Sequence, residues 1–130
     1  MNAALSRRPE NMKSTAEKGR QGEKEAEIFL QKAGYSIIER NYRRTGGEID
    51  LIVRKNDEII FAEVKKWSTF NEESMEQGIP RSKMRRILKT SRAFLMEHPE
   101  FDDFHIRYDI VFLPGAGKEA HHIKDAFREE

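Results

Sequence analysis

The chain has 130 residues, a length that suits one domain built around a single hydrophobic core. With a formal net charge of +1 and no cysteine, the composition gives no global argument for nucleic acid and excludes disulfides and thiolate metal sites. No apolar run approaches the length of a membrane span, and the N-terminus lacks the apolar stretch of a secretory signal, so we expect a cytoplasmic protein with no membrane contact.

The N-terminal part of the chain predicts an arm, a helix and a strand. Residues 1–13 mix polar and charged types without periodicity, which predicts a disordered arm, and residues 14–130 are expected to form the single domain. A capping-box pattern followed by an apolar stripe predicts a helix over residues 14–33. Residues 35–42, with a pair of isoleucines at the centre, have the pattern of a first strand.

The next two strands, over residues 47–53 and 60–65, are predicted to form a hairpin with a tight turn at Asn56 and Asp57. If the hairpin is symmetric about this turn, the numbers of cross-strand partners sum to 113. Because side chains alternate along a strand, one face of the hairpin is then wholly apolar, made by Ile49, Leu51, Val53, Ile60, Ala62 and Val64.

The other face of the hairpin carries charge at the end far from the turn. The same register places Asp50 opposite Glu63 and Glu48 opposite Lys65. Directly opposed carboxylates destabilise a sheet, so this arrangement predicts a held cation. The alternative is a charged face that only meets water. The site is favoured because two large apolar side chains share this face, namely Ile52 and Phe61.

The C-terminal half predicts a loop, a second helix and further strands. Residues 67–78 are polar and form a loop of more than average length, and residues 79–98 have helical periodicity. Residues 105–113 alternate as a strand, residues 114–117 form a turn, and a short strand is expected near 122–123. The predicted order is α-β-β-β-α-β with a small extra strand.

The second predicted helix carries a run of six basic residues and no acidic residue between positions 81 and 92. Three of them, Arg85, Lys89 and Arg92, fall on one side of the helix. A solvated helix face is the ordinary alternative, but a run of one sign in a nearly neutral chain favours binding to a phosphate backbone. The candidate nucleic-acid-binding residues of this helix are Arg81, Lys83, Arg85, Arg86, Lys89 and Arg92.

An acidic residue on one strand followed by Glu-x-Lys on the next resembles the PD-(D/E)XK nuclease superfamily. A closer resemblance, over residues 18–127, is to the YraN-like family of uncharacterised bacterial proteins, which are regarded as endonucleases related in fold to archaeal Holliday junction resolvases. The matching pieces are Gly22-Glu23, Gly34-Tyr35, Arg40-Asn41-Tyr42, Gly47-Glu48-Ile49-Asp50-Leu51-Ile52, Phe61-Ala62-Glu63-Val64-Lys65, Lys83 and Arg107-Tyr108-Asp109.

The resemblance implies an α/β fold of restriction endonuclease-like type, a mixed central sheet flanked by helices with an αβββαβ core. It also implies a metal-dependent endonuclease that hydrolyses phosphodiester bonds in DNA, including branched or structured DNA. Asp50 and Glu63 would coordinate Mg²⁺ or Mn²⁺ together with the backbone carbonyl of Val64. Lys65 would orient or deprotonate the attacking water and offset charge in the transition state. Glu23 matches a helix glutamate that contributes to the metal site.

The chain departs from the family pattern at Trp67, where the family usually has an arginine, and Lys66 is the nearest residue that carries a replacing charge. This departure keeps a second function open, a nucleic-acid-binding module that retains the nuclease fold without catalysis. A third alternative is an interaction domain that binds no nucleic acid. DNA is the expected partner, and a homodimer is among the arrangements that the resemblance allows.

Overall fold

The structure, a computed structural model, describes residues 15–66, 79–114 and 118–129, with side chains from residue 21 onward. The predicted arm, the predicted loop over residues 67–78 and most of the predicted turn over residues 114–117 lie outside the described residues. Within these residues, two α-helices and five strands follow one another as α1 Thr15–Lys32, β1 Ser36–Arg44, β2 Gly47–Lys55, β3 Glu58–Lys66, α2 Arg81–Glu97, β4 His105–Leu113 and β5 His121–Ile123. A short 3-10 helix, Pro99–Phe101, lies between α2 and β4.

The strands form one mixed sheet in the order β1-β2-β3-β4-β5, in which β3 and β4 are parallel and the other neighbours are antiparallel. The parallel pair is possible because α2 carries the chain from the end of β3 back to the start of β4. The predicted α-β-β-β-α-β order with a small extra strand is confirmed. Within the described ranges, neither helix is long and apolar enough to cross a membrane.

Each face of the sheet is covered by one helix. On one face α2 buries Ile87, Thr90, Ser91 and Phe94, and Phe94 contacts the ring of Phe61 edge-on at 5.8 Å between centroids. On the other face α1 packs Ala26 and Leu30 against the sheet. The cluster under α1 includes strand residues from β2, β3 and β4, namely Leu51, Val53, Ile60, Ala62 and Val111. The sheet is therefore buried on both faces.

The hairpin register predicted from the turn is confirmed for its first five pairs, which run from Lys55 opposite Glu58 to Leu51 opposite Ala62. Asn56 in the turn has φ of +55°, a left-handed conformation that asparagine tolerates better than most residues. Beyond Leu51 the paired register stops, and the predicted pairing of Asp50 with Glu63 and of Glu48 with Lys65 does not form.

The predicted apolar face of the hairpin is wrong at Ile49. This side chain packs with Ile52 and Phe61 under α2, and not with Leu51 and Val53 under α1. The reason lies in the neighbouring strand, where Asn41 adopts φ of +48° and interrupts the alternation of β1. β1 and β2 keep the same register on both sides of Asn41. The side chains of β2 therefore change from one face of the sheet to the other at the same level as those of β1.

A buried polar network holds β4 to the rest of the domain. Asp109 is fully buried and accepts hydrogen bonds from Arg107, from His122 Nε2 at 2.7 Å and from the Asp125 backbone N–H at 2.9 Å. Burial opposes the charge on Asp109, but these donors together hold its pKa below the ordinary value. The side chain of His122 is only 10% exposed, because its ring lies against the buried carboxylate of Asp109.

Replacing Asp109 with asparagine is expected to lower the free energy of unfolding by about 3–5 kcal/mol, because it leaves the charge of Arg107 only partly compensated in a buried place. Urea unfolding followed by circular dichroism measures this loss. The matched control is Asp125→Asn, which removes an exposed ion pair with Arg128 and should leave the midpoint nearly unchanged. Equal midpoints for the Asp109 variant and the wild type would contradict this role.

Candidate active site

The carboxylate of Asp50 lies where β2 separates from β3. Its Oδ2 accepts a hydrogen bond of 2.8 Å from the backbone N–H of Val64. A side-chain oxygen thus takes the place that a backbone carbonyl of β2 would have in a continued ladder. The paired register ends at this point, and the hydrogen bond fixes the carboxylate against the backbone of β3.

Burial and charge make the ionised form of Asp50 unfavourable in the absence of a cation. Burial, followed by repulsion from Glu63, raises the pKa of Asp50 to about 7, and the hydrogen bond from Val64 only partly opposes this rise. Glu23 of α1 raises it further, and Lys83 of α2 lowers it. The two helices therefore both reach Asp50 electrostatically, although they cover opposite faces of the sheet.

Glu63 is the second carboxylate of the site, and only 5% of it is exposed. Its Oε1 lies 2.5 Å from Lys83 Nζ and 3.9 Å from Lys65 Nζ. Burial and then the positive charge of Lys83 lower the pKa of Lys65. Burial also acts against Lys83, but its hydrogen bond to Glu63 keeps the pKa of Lys83 above the ordinary value. The site thus contains two carboxylates and two lysines.

The N-terminal part of α1 approaches the site from the other face. Glu23 is half-buried there, and the preceding Gly22 is so close to the side chain of Lys66 that a methyl group at Gly22 would collide with it. The side chain of Lys66, the last residue of β3, therefore packs against α1 at Gly22. Of the predicted catalytic residues, Glu23 is the one that lies on a helix. Its negative charge is one of the causes that raise the pKa of Asp50.

The donor set fits a small hard cation. Asp50 Oδ2 accepts a hydrogen bond from the Val64 N–H, and Glu63 Oε1 contacts the two lysines. Among the described contacts, the other oxygen of each carboxylate is therefore available as a metal ligand. Among the residues that the structure describes, no group of three or more His, Cys, Asp or Glu side chains is placed to hold a metal. Mg²⁺ needs no such cage, since it binds through one or two carboxylates, water and substrate phosphates.

The predicted nucleic-acid-binding residues of α2 are not all on one side of the helix. Lys83 points to the site, and with Arg86 it lines a cavity next to the β1–β2 turn. A different cavity, toward the C-terminal residues, is lined by Arg81, Arg85 and Arg92. Arg92 pairs there with Glu129, and Lys89 is exposed. The structure therefore brings Lys83 to Glu63, places Arg86 in the cavity that Lys83 also lines, and places the other four elsewhere.

The comparison with known proteins gives one clear result. Residues 22–113, which include both carboxylates and Lys83, match the profile of a family described as "Uncharacterised protein family UPF0102". This chain belongs to that family. UPF0102 is the YraN family, so the resemblance found from the sequence motifs is confirmed.

Relatives within UPF0102 extend over most of the chain. A UPF0102 protein from Natranaerobius thermophilus is 40% identical over 114 residues, covering 85% of this chain and 96% of its own length. A second, from Nitrosomonas europaea, is 36% identical over 119 residues, covering 91% and 99%. A third, from Persephonella marina, is 34% identical over 110 residues, covering 85% and 92%. The chain thus spans nearly the whole of these UPF0102 proteins.

The sequence motifs did not single out Arg43 and Arg44, which line the cavity shared by Lys83 and Arg86. Both stand at the end of β1, directly before the turn that leads into β2. The available signal was a pair of arginines followed two residues later by two glycines, at the entrance of the strand that carries Asp50. A turn adjacent to an acidic strand end can present such side chains to a ligand.

Proposed function

We propose that this UPF0102 protein is a metal-dependent endonuclease that hydrolyses phosphodiester bonds in DNA. One observation carries the proposal: a buried carboxylate, Asp50, is held against the backbone of β3 beside a second carboxylate and two lysines. Carboxylates next to phosphate repel it, so a surface that only binds nucleic acid gains nothing from them. They become useful when a cation joins them to the substrate.

Each residue of the site has a separate role in the proposed reaction. A bound Mg²⁺ or Mn²⁺ would supply a Lewis acid and lower the pKa of a water molecule. Asp50 and Glu63, with the carbonyl of Val64, would hold that ion, and Glu23 adds negative charge from α1. Lys65 has a lowered pKa and lies beside Glu63, a position suited to orient the attacking water and to stabilise developing charge on the phosphoryl group.

Lys83 has a distinct part in this proposal. Its ammonium group lies against Glu63 and compensates the negative charge of that carboxylate when no metal ion is bound. When the ion is present, Lys83 is free to contact a phosphate oxygen of the substrate. The same side chain therefore stabilises the metal-free protein and assists the loaded form.

The test is a cleavage screen over single-stranded, duplex, flap and four-way DNA with Mg²⁺, Mn²⁺ or a chelator. We expect cleavage of at least one of these substrates with the metals and none with the chelator, and we expect Glu63→Gln to abolish it. The control variant is Glu100→Gln, an exposed carboxylate outside the site. Failure of the wild type to cleave any of these DNAs, together with tight DNA binding, would instead support the non-catalytic binding module.

A further inference from the structure

A groove of about 450 Å³ lies between the β1–β2 turn and α2, next to the candidate active site. Four cationic side chains and one carboxylate line it. The cations are Arg43, Arg44, Lys83 and Arg86, and the carboxylate is Glu48. An excess of positive charge in a concave surface attracts anions, because low-dielectric walls focus the field. The groove is distinct from the cavity lined by Arg81, Arg85 and Arg92 of α2.

The closeness of the helix to the turn gives this groove its shape. A methyl group at Gly47 would lie 3.0 Å from the carbonyl oxygen of Arg86 and would collide with the hydroxyl of Thr90. Gly46 has φ of +85°, and the space that a methyl group would occupy there is empty. The glycines thus bring α2 close to the turn and leave the backbone of the turn open to a ligand.

Two of the four cations are available to a ligand. Arg44 is held by Glu97 through two hydrogen bonds, of 3.0 and 2.7 Å, and lies over the ring of Tyr42. Within the described ranges, the ion pair of Arg43 is an exposed one with Glu48 at 3.4 Å, which contributes little. Among the described residues, Arg86 has no carboxylate partner.

We propose that this groove binds the backbone phosphates of the DNA strand that enters the site, next to the phosphodiester that is cut. The identity of the ligand rests on the proposed function. Lys83 supports the connection, because it lines the groove and also contacts Glu63. Arginines at an open groove suit phosphates, since guanidinium groups bind them through two parallel hydrogen bonds. Such contacts position the strand without reading its sequence.

The experiment uses two variants of opposite sign in the groove and two matched controls outside it. Arg86→Gln removes a positive charge and Glu48→Gln removes a negative one. Lys124→Gln and Glu100→Gln make the same changes of net charge at exposed positions outside the groove. Binding of fluorescent four-way and duplex DNA is measured by anisotropy over a series of salt concentrations with a chelator present, so that cleavage plays no part.

We expect Arg86→Gln to lower DNA affinity about tenfold, the size of one charge-assisted contact, and to flatten the slope of log K against log salt by about 0.9. Glu48→Gln should raise the affinity, because it frees Arg43 and removes the one carboxylate of the groove. Both controls should stay near the wild type. Equal effects in groove and control variants, unchanged affinity in both groove variants, or no DNA binding by the wild type would each overturn the proposal.

These outcomes are separable from those of the proposed function. If the groove variants behave as expected and no DNA is cut with Mg²⁺ or Mn²⁺, the groove is supported and the endonuclease activity is contradicted. If DNA is cut while Arg86→Gln and Glu48→Gln bind like the wild type, the activity is supported and the groove is contradicted.

Discussion

Replacing Lys65 with methionine is expected to slow phosphodiester cleavage by roughly 10²–10³-fold while DNA affinity stays nearly unchanged. Lys65 Nζ lies 3.9 Å from Glu63 Oε1, beside one of the two carboxylates that we propose as metal ligands. Charge on the phosphoryl oxygens grows in the transition state, so a lysine that meets it there contributes to the rate far more than to binding. Methionine keeps most of the volume and removes the charge.

Single-turnover cleavage, with the enzyme in saturating excess over the DNA, measures the rate, and anisotropy in a chelator measures the affinity. The control is Lys124→Met, an exposed lysine after β5 that should match the wild type in both measurements. Cleavage that survives in the Lys65 variant would mean that the activity comes from elsewhere. The binding-module alternative would then describe this fold better.

Replacing Asp50 with asparagine is expected to abolish the stabilisation by Mn²⁺ and to stabilise the metal-free protein at pH 8. In the wild type, a metal present at one hundred times its Kd adds about 2.7 kcal/mol to the free energy of unfolding. Under the proposed function that gain would need both carboxylates, because the ion would bind only where they are held together. Asparagine keeps an oxygen for the Val64 N–H and offers no charge to the ion.

The pH dependence of the metal-free protein follows from the raised pKa of Asp50. The folded state binds this proton up to about pH 7, whereas the unfolded chain releases it near 3.8. The folded state therefore holds more protons in this window, and the contribution of Asp50 to stability falls as pH rises through it. The asparagine variant lacks this loss, so its free energy of unfolding relative to the wild type should increase from pH 4 to pH 8.

Thermal unfolding with and without Mn²⁺, at pH 5 and pH 8, tests both parts of this expectation. The control is Asp57→Asn in the β2–β3 turn, where the carboxylate is exposed and the metal response should equal that of the wild type. The same shift with Mn²⁺ in the wild type and in the Asp50 variant would exclude Asp50 as a ligand.

Much of the sheet could be predicted because local rules determine it. The turn at Asn56 and Asp57 sets the register of the hairpin, and the predicted bounds of β4, residues 105–113, are those of the structure. Strong alternation and turn residues act over a few positions, and nothing in the tertiary structure overrides them there.

The break at Asp50 could not be predicted from the hairpin alone. It requires the left-handed Asn41 on the neighbouring strand and a side-chain oxygen that replaces a backbone partner of Val64. The first acts across β1 and β2, and the second is a contact between β2 and β3. An asparagine between Arg40 and Tyr42, in the middle of a strand, was the one local sign that the alternation would reset there.

The network at Asp109 had a sign of its own in the sequence. A carboxylate and an arginine two residues apart in an otherwise apolar strand lie on one face, which indicates that the charges are paired inside. The partner His122 was not predictable, because it reaches Asp109 through the tertiary packing of β5. Likewise, helical periodicity separates Lys83 and Arg86 from the other basic residues of α2, but only the structure shows which side meets the carboxylates.

The hydrogen bond from Val64 to Asp50 makes one backbone proton a spectroscopic reporter of the site. An amide that donates to a carboxylate has a proton resonance that moves downfield when the acceptor is charged and back when it is neutralised. In an ¹⁵N-edited NMR spectrum, the Val64 cross-peak would follow the protonation of Asp50 and its occupation by a diamagnetic ion such as Mg²⁺. A single resonance in the sheet would thus report the state of the site without any substrate.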